Sequence, residues 1–188
     1  MNDLAKLNMP VAGSSKDSLE RLLDESGATF MDCHQIGPCH SIVDMRNAAA
    51  AAEIFLASVR ANAERLQAGS EQLGDDEVAR QVMAFVSAWP NVSQGDLAGY
   101  GAQLLDDLLA EEPCRHALAE TFRKLRRTMR FLPSIAEVLS ELEMRQARLR
   151  NTLFHIQRLP ALIEGLNAMA DRREQIEAER ARRNGAAA

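Results

Sequence analysis

Aromatic rings are scarce in this chain: six Phe, one Trp and one Tyr among 188 residues. Aliphatic side chains and alanine must fill whatever core forms, and an aromatic platform for stacking unpaired bases is not expected. Cysteine is scarcer still, with three in all, an odd number that excludes a disulfide-framed fold. No apolar run approaches the roughly 18 residues of a transmembrane helix. The opening MNDLAKLNMP lacks the basic start and apolar stretch of a secretory signal. No membrane partner is expected, and the cytoplasm is the expected location.

Alternating runs of β-branched residues are also missing, which excludes a sheet and leaves an all-α chain. Enzyme signatures are missing too. There is no GxxxxGK[ST] loop to cradle a nucleotide, and no GxSxG, HExxH or GxGxxG. The paired carboxylates Asp75-Asp76, Asp106-Asp107 and Glu111-Glu112 are sequence neighbours. Such neighbours do not face each other on a helix, so they read as caps or solvated surface. Neither catalysis nor a cofactor is expected.

What is present is an uneven charge. The formal net charge of −5 averages over unlike parts. Met1 to Asp75 carries six basic and eleven acidic residues, and Asp76 to Cys114 carries Arg80 alone against seven acids. From Arg115 onward there are fifteen basic and nine acidic residues. An acidic front is joined to a basic back, the kind of asymmetry that marks a nucleic-acid or acidic-partner surface.

Hydrophobic spacing divides the chain into four parts. Leu19, Leu22 and Leu23 predict a short amphipathic helix over 17–25, and the stretch 26–41, with Gly27, Gly37 and Pro38, reads as loop. Residues 1–41 are thus expected to be poorly ordered around one short helix. An alanine-rich helix over 42–68 forms an arm, 42–74. A helical core is expected over 75–145. Asp75 or Asp76 caps its first helix, whose stripe is Val78, Val82, Phe85, Val86 and Trp89, stopped by Pro90 and Asn91. Ser93 caps a second over 94–110. Pro113 occupies the first turn of a third, over 113–129, with Leu118, Phe122, Leu125 and Met129 on one side. Five of the eight rings, Phe85, Trp89, Tyr100, Phe122 and Phe131, fall in this segment and mark it as the core.

Pro133 disfavours helical geometry at Leu132, and Ser134 with Glu137 makes a capping box that opens the last helix. Ile135, Leu142, Leu149 and Ile156 recur at intervals of seven, with Gln146 a polar interruption, a seam suited to a partner helix. Pro160 is expected to kink or end this helix. Residues 146–188 read as an extended charged helix fraying into a disordered alanine tail.

Two clusters could carry chemistry. Cys33, His34, Cys39 and His40 stand within eight residues, in CHQIGPCH, and invite a zinc reading. Adjacent residues rarely ligate one tetrahedral ion, however, and no second ligand pair exists. No metal is assigned, and a redox-sensitive Cys33–Cys39 pair or an ordinary polar loop are the other readings. The second cluster is basic: Arg123, Lys124, Arg126, Arg127 and Arg130. Arg123, Arg126, Arg127 and Arg130 lie at i, i+3, i+4 and i+7 and would share one helix face, able to meet DNA phosphates or an acidic protein surface, or simply to be solvated.

Three features follow one another between residues 79 and 143. An apolar helix ends in Trp89-Pro90-Asn91; a middle helix carries Tyr100 and closes through Leu104, Asp106 and Asp107; a basic helix runs into Phe131, Pro133, Ser134, Ile135 and Glu137 of FLPSIAE. Together they resemble the small helical domain of the phage-type replicative DNA helicase loader/inhibitor family. The resemblance implies a non-ATPase DNA replication accessory protein in a bacterial host cytoplasm. It would bind a hexameric DnaB-type helicase and help deliver it to an origin, with the segment after Arg145 contacting the helicase. The first 75 residues and the chain beyond Pro160 have no counterpart in the pattern, and AEEPC stretches its spacing. The residues alone leave two other readings. One is a helical phage structural or interaction protein, a homo-oligomer through helices 42–68 and 135–157. The other is a DNA-binding regulator with 113–129 as recognition helix.

Overall fold

Small and aliphatic side chains at helical spacing dictate seven helices among the described residues, which in the computed structural model are 17–89 and 94–185. They are α1 (Asp17–Gln35), α2 (Ile42–Ala61), α3 (Ala63–Ser70), α4 (Asp75–Val86), α5 (Gln94–Ala110), α6 (Arg115–Thr128) and α7 (Ile135–Gly185). No strand occurs among the described residues, so the fold is all-α. Among the described residues no helix is long and apolar enough to cross a membrane. Pro90, Asn91, Ser93, residues 1–16 and the last three alanines, on which several expectations fall, lie outside the described residues.

The chain divides into two compact units, Met1–Asn62 with Leu162–Ala188, and Ala63–Ala161. In the first, α1 packs on α2. The loop expected over 26–41 is corrected in its first half, because α1 continues to Gln35. Ser26 and Thr29 return their hydroxyls to Leu23 O (3.1 Å) and Glu25 O (3.0 Å), satisfying themselves within the helix. The buried stripe of Leu19, Leu22, Leu23 and Ser26 extends to Cys33. α2 opens on a capping box between Ser41 and Asp44 and buries Met45, Ala48, Ala49, Ala52, Phe55, Leu56 and Val59. The single helix expected over 42–68 breaks at Asn62, whose backbone N–H donates to Val59 O (3.0 Å) and whose side-chain amide donates to Ser58 O (2.9 Å). Asparagine competes with the helix ladder in this way wherever packing permits.

The distal part of α7 closes this unit through two arginines. Arg46 on α2 donates to Asn167 Oδ1 (3.1 Å) and pairs with Asp171 and Glu174. Arg173 on α7 donates to the carbonyls of Pro38 (3.3 Å) and His40, pinning the connection between α1 and α2.

The core of the second unit is built from α4, α5, α6 and the start of α7. Val78, Val82, Phe85, Leu104, Leu108, Leu118, Phe122, Val138 and Leu142 are buried together there. Phe85 stacks on Phe122 (centroids 4.2 Å, interplanar 12°) and meets Trp89 edge-on (6.0 Å, 76°), an arrangement that adds to plain area burial. α4 is preceded by Gly74 as its N-cap rather than by Asp75 or Asp76, which lie in the first turn with Glu77 and still complement the helix dipole.

Pro113 does not enter α6. The residues before the helix pair instead with 71–73: Leu73 N donates to Pro113 O (3.0 Å) and Arg115 N to Glu71 O (2.9 Å), around a single antiparallel bridge of Gln72 and Cys114. The turn into this bridge places Glu112 at φ 46, in the left-handed region that non-glycine residues rarely occupy. Gln146 Nε2 reaches the carbonyls of Glu111 (3.3 Å) and Glu112 (3.4 Å), which accounts for the polar residue in the α7 seam.

Pro160 does not end α7. The helix runs through it to Gly185, although proline removes one N–H from the ladder. Buried residues stand at helical spacing on each side of it, Leu149, Thr152 and Leu159 before and Ile163, Leu166 and Ala170 after. The extended charged helix expected after Arg145 is present and runs as far as Gly185; the alanine tail lies outside the described residues.

Candidate binding surface

α6 is strongly two-faced: Ala117, Leu118, Thr121, Phe122 and Leu125 are buried, which turns its arginines outward. The five basic residues singled out by spacing nevertheless part company. Arg123 is paired with Glu120 one turn back. Lys124 Nζ meets Glu141 Oε2 at 2.5 Å, and the same carboxylate accepts from Arg145 Nε at 2.8 Å. Glu141 has a side chain only 8% exposed, so Lys124 and Arg145 neutralise a largely desolvated charge and belong to the fold.

Arg126 and Arg127 are exposed and have no ion-pair partner among the described residues. Arg130 was expected on the same helical face, but α6 ends at Thr128 and Met129 is extended (φ −93°, ψ 138°). Arg130 therefore stands beyond the helix, its guanidinium 5.8 Å from the ring of Phe131. Phe131 is 71% exposed, a correction to its place among the core rings. Arg126, Arg127, Arg130 and Phe131 are all exposed within six residues of sequence at and just beyond the C-terminal end of α6, where positive charge also complements the helix dipole.

Trp89, Tyr100, Pro133, Ser134 and Glu137 serve mainly to build the fold. Trp89 is buried against Phe85. The Tyr100 hydroxyl donates to Pro133 O at 2.9 Å. Glu137 accepts from the backbone N–H of Ser134 (2.7 Å) and its hydroxyl (2.8 Å), while Glu137 N donates to Ser134 Oγ (3.3 Å). The capping box read from the spacing is thus complete, and these bonds, backbone first, hold the Glu137 carboxyl below its ordinary range. Burial, with the negative Glu137 adding to it, pushes the Tyr100 phenol up to about 12. Ile135, half-buried, is the first residue of α7.

The cysteine–histidine cluster comes apart in space. Cys33 is buried in α1 with its thiol directed at Ala48 O (3.5 Å), and burial, then Asp32, pushes its pKa up. His34 is exposed and stacked on Phe30. His40 Nδ1 accepts from Gly37 N (3.1 Å) and lies 3.4 Å from Cys39 Sγ. Among the described residues no three of these four donors converge on a common ion position.

One feature escaped the spacing argument. α4 and α5 leave an open apolar groove of about 540 Å³, lined by residues that include Ala79, Val82, Met83, Ala98, Gly101 and Ala102. The small residues at 98, 101, 102 and 79 carried the signal, since small side chains on facing helix ridges leave a trough rather than a ridge. No family model matches the chain, and no curated protein or solved structure matches it either.

Proposed function

We propose that this protein works by binding rather than catalysis, as a replication accessory protein that engages a DnaB-type replicative helicase and helps place it on DNA without hydrolysing ATP itself. The observation that carries the reading is the assembly of Tyr100, Pro133, Ser134 and Glu137 into one joint. They are residues on which the resemblance to helicase loaders rests, and the exposed Arg130 and Phe131 immediately precede the joint in sequence, with Arg126 and Arg127 exposed at the end of α6 just before them. Three exposed cations with no ion-pair partner among the described residues, one of them over the exposed Phe131 ring, suit an acidic protein surface or the phosphates of DNA. Lys124 is reserved for Glu141 and takes no part in the partner surface.

Oligomerisation through the seam of α7 is less well supported, because Val138 and Leu142 are already buried in the chain's own core. The test is direct. The protein is mixed with the replicative helicase of its host, with and without ATP, and passed over a size-exclusion column. Co-elution is expected, weakened by Arg126→Glu with Arg127→Glu. Separate elution under both conditions removes the helicase reading.

A further inference from the structure

We propose that the groove between α4 and α5 is a docking site for a basic amphipathic helix of a partner protein. The inference goes beyond the helicase reading and does not rest on it, since the groove and the cationic end of α6 carry opposite charge. The floor is made low by Ala79, Ala98, Gly101 and Ala102. A Cβ built on Gly101 would meet nothing nearer than Val86 Cγ2 at 3.9 Å, so a helical ridge can come close to the α5 backbone. Met83, at one edge, is 68% exposed, and its flexible thioether can adapt to an incoming apolar side chain. Ser87 is the one polar side chain among the described lining residues. A small molecule would find no converging polar groups to orient it, whereas a helix anchored by residues at i, i+3, i+4 and i+7 needs none.

Charge selects which helix. Between Asp76 and Cys114 a single base opposes seven acids, and that base, Arg80, is paired with Glu77. Asp75 and Asp76 stand four and three residues before Ala79, on the groove side of α4, and Asp106 follows Leu105 on α5. All three aspartates are exposed, with no ion-pair partner among the described residues. Within a Debye length of about 8 Å at physiological salt they attract lysines or arginines flanking the apolar stripe of a docked helix and repel an acidic one.

The probe is a fluorescein-labelled peptide of leucine and lysine, with leucines at i, i+3, i+4 and i+7, titrated with the full chain and read by anisotropy. The matched leucine–glutamate peptide is expected to bind about tenfold more weakly. Ala102→Lys, at an exposed position, should weaken the basic peptide about tenfold with the helical melt unchanged. Asp75→Asn with Asp76→Asn, which leaves the groove shape intact, should weaken it about threefold and flatten its salt dependence. Arg126→Glu with Arg127→Glu should leave it as tight as before or tighter. The proposal is overturned by no binding of the basic peptide, by equal affinity for the acidic one, or by full affinity in both Ala102→Lys and the double asparagine variant. A dimer seen in sedimentation that Ala102→Lys dissociates would assign the groove to a second copy instead, and overturn it equally.

Discussion

The hydroxyl of Tyr100, midway along α5, donates to the carbonyl of Pro133 at 2.9 Å, across 33 residues of sequence. Pro133 is buried and stands just before the capping residue of α7, so its carbonyl has been withdrawn from water and is satisfied by this phenol. One hydrogen bond thereby ties α5 to the turn from which Arg130 and Phe131 project.

Replacing Tyr100 by Phe keeps the ring and removes the bond. A loss of about 1 kcal/mol is expected, read as a melting temperature lower by about 2–4 °C. The phenol's folded pKa of about 12 lies above the unfolded value of 10.0. The fold therefore favours the neutral form; its contribution is complete below pH 10 and is lost as the pH rises through about 12. Urea midpoints followed across that window should decline less steeply in Tyr100→Phe than in the parent.

Ser134→Ala removes the hydroxyl from the capping box at the start of α7. The expected cost is about 1 kcal/mol by chemical denaturation. Because the Glu137 carboxyl is held below its ordinary value of 4.5, its contribution is present above that pH and fades as the pH falls through the lowered folded value. The variant should show a shallower acid limb in a plot of urea midpoint against pH.

Glu112 is the one non-glycine residue with positive φ among those described. Left-handed geometry costs a residue with a Cβ about 1–2 kcal/mol, and glycine adopts it freely. Glu112→Gly is expected to raise stability by about 1 kcal/mol or to be neutral once chain entropy is counted. Glu112→Val should lower it by more than 1 kcal/mol, roughly, since branching worsens the clash. A fall in melting temperature for the glycine variant would contradict the assignment.

Lys124 and Arg126 are two residues apart and should answer differently. Lys124→Met leaves Glu141 with Arg145 alone and should cost stability, with little change in affinity for an anionic partner. Arg126→Glu and Arg127→Glu should leave the melt within about 0.5 kcal/mol of the parent while weakening binding to a polyanion such as heparin and reducing its salt slope. The pair of measurements separates the structural base from the surface ones.

Legibility in the sequence followed the range of the forces involved. The helix over 94–110, the apolar stripe of α4 and the Ser134–Glu137 box were readable because each depends on residues within a turn or two of one another. The extension of α1 through Gly27 was not, since it depends on Ser26 and Cys33 being buried by distant residues. Neither was the start of α6, where Pro113 gives up a favourable first-turn position to pair with Leu73. Phe131 was misplaced for a related reason: counting rings along the chain locates a folded segment without saying which way a ring at a joint will point. The basic face was half legible. Spacing put Arg126 and Arg127 on the outer face of α6, while the ion pairs of Arg123 with Glu120 and of Lys124 with the buried Glu141 depend on packing that spacing does not show.

The first unit is discontinuous in sequence, its two parts separated by the whole of Ala63–Ala161. This sets an order of events on the ribosome. Arg46 emerges early, yet Asn167 and Asp171, which hold it, are made 121 and 125 residues later. The intervening unit can pack as soon as residue 161 is out, and domains generally do fold as units during synthesis. By folding, it shortens the effective loop that residues 162–185 must close, and so lowers the entropic cost of that closure. Until then α1 and α2 pack without the distal part of α7, and the nascent chain passes through an interval in which the ion pairs of Arg46 are unmade.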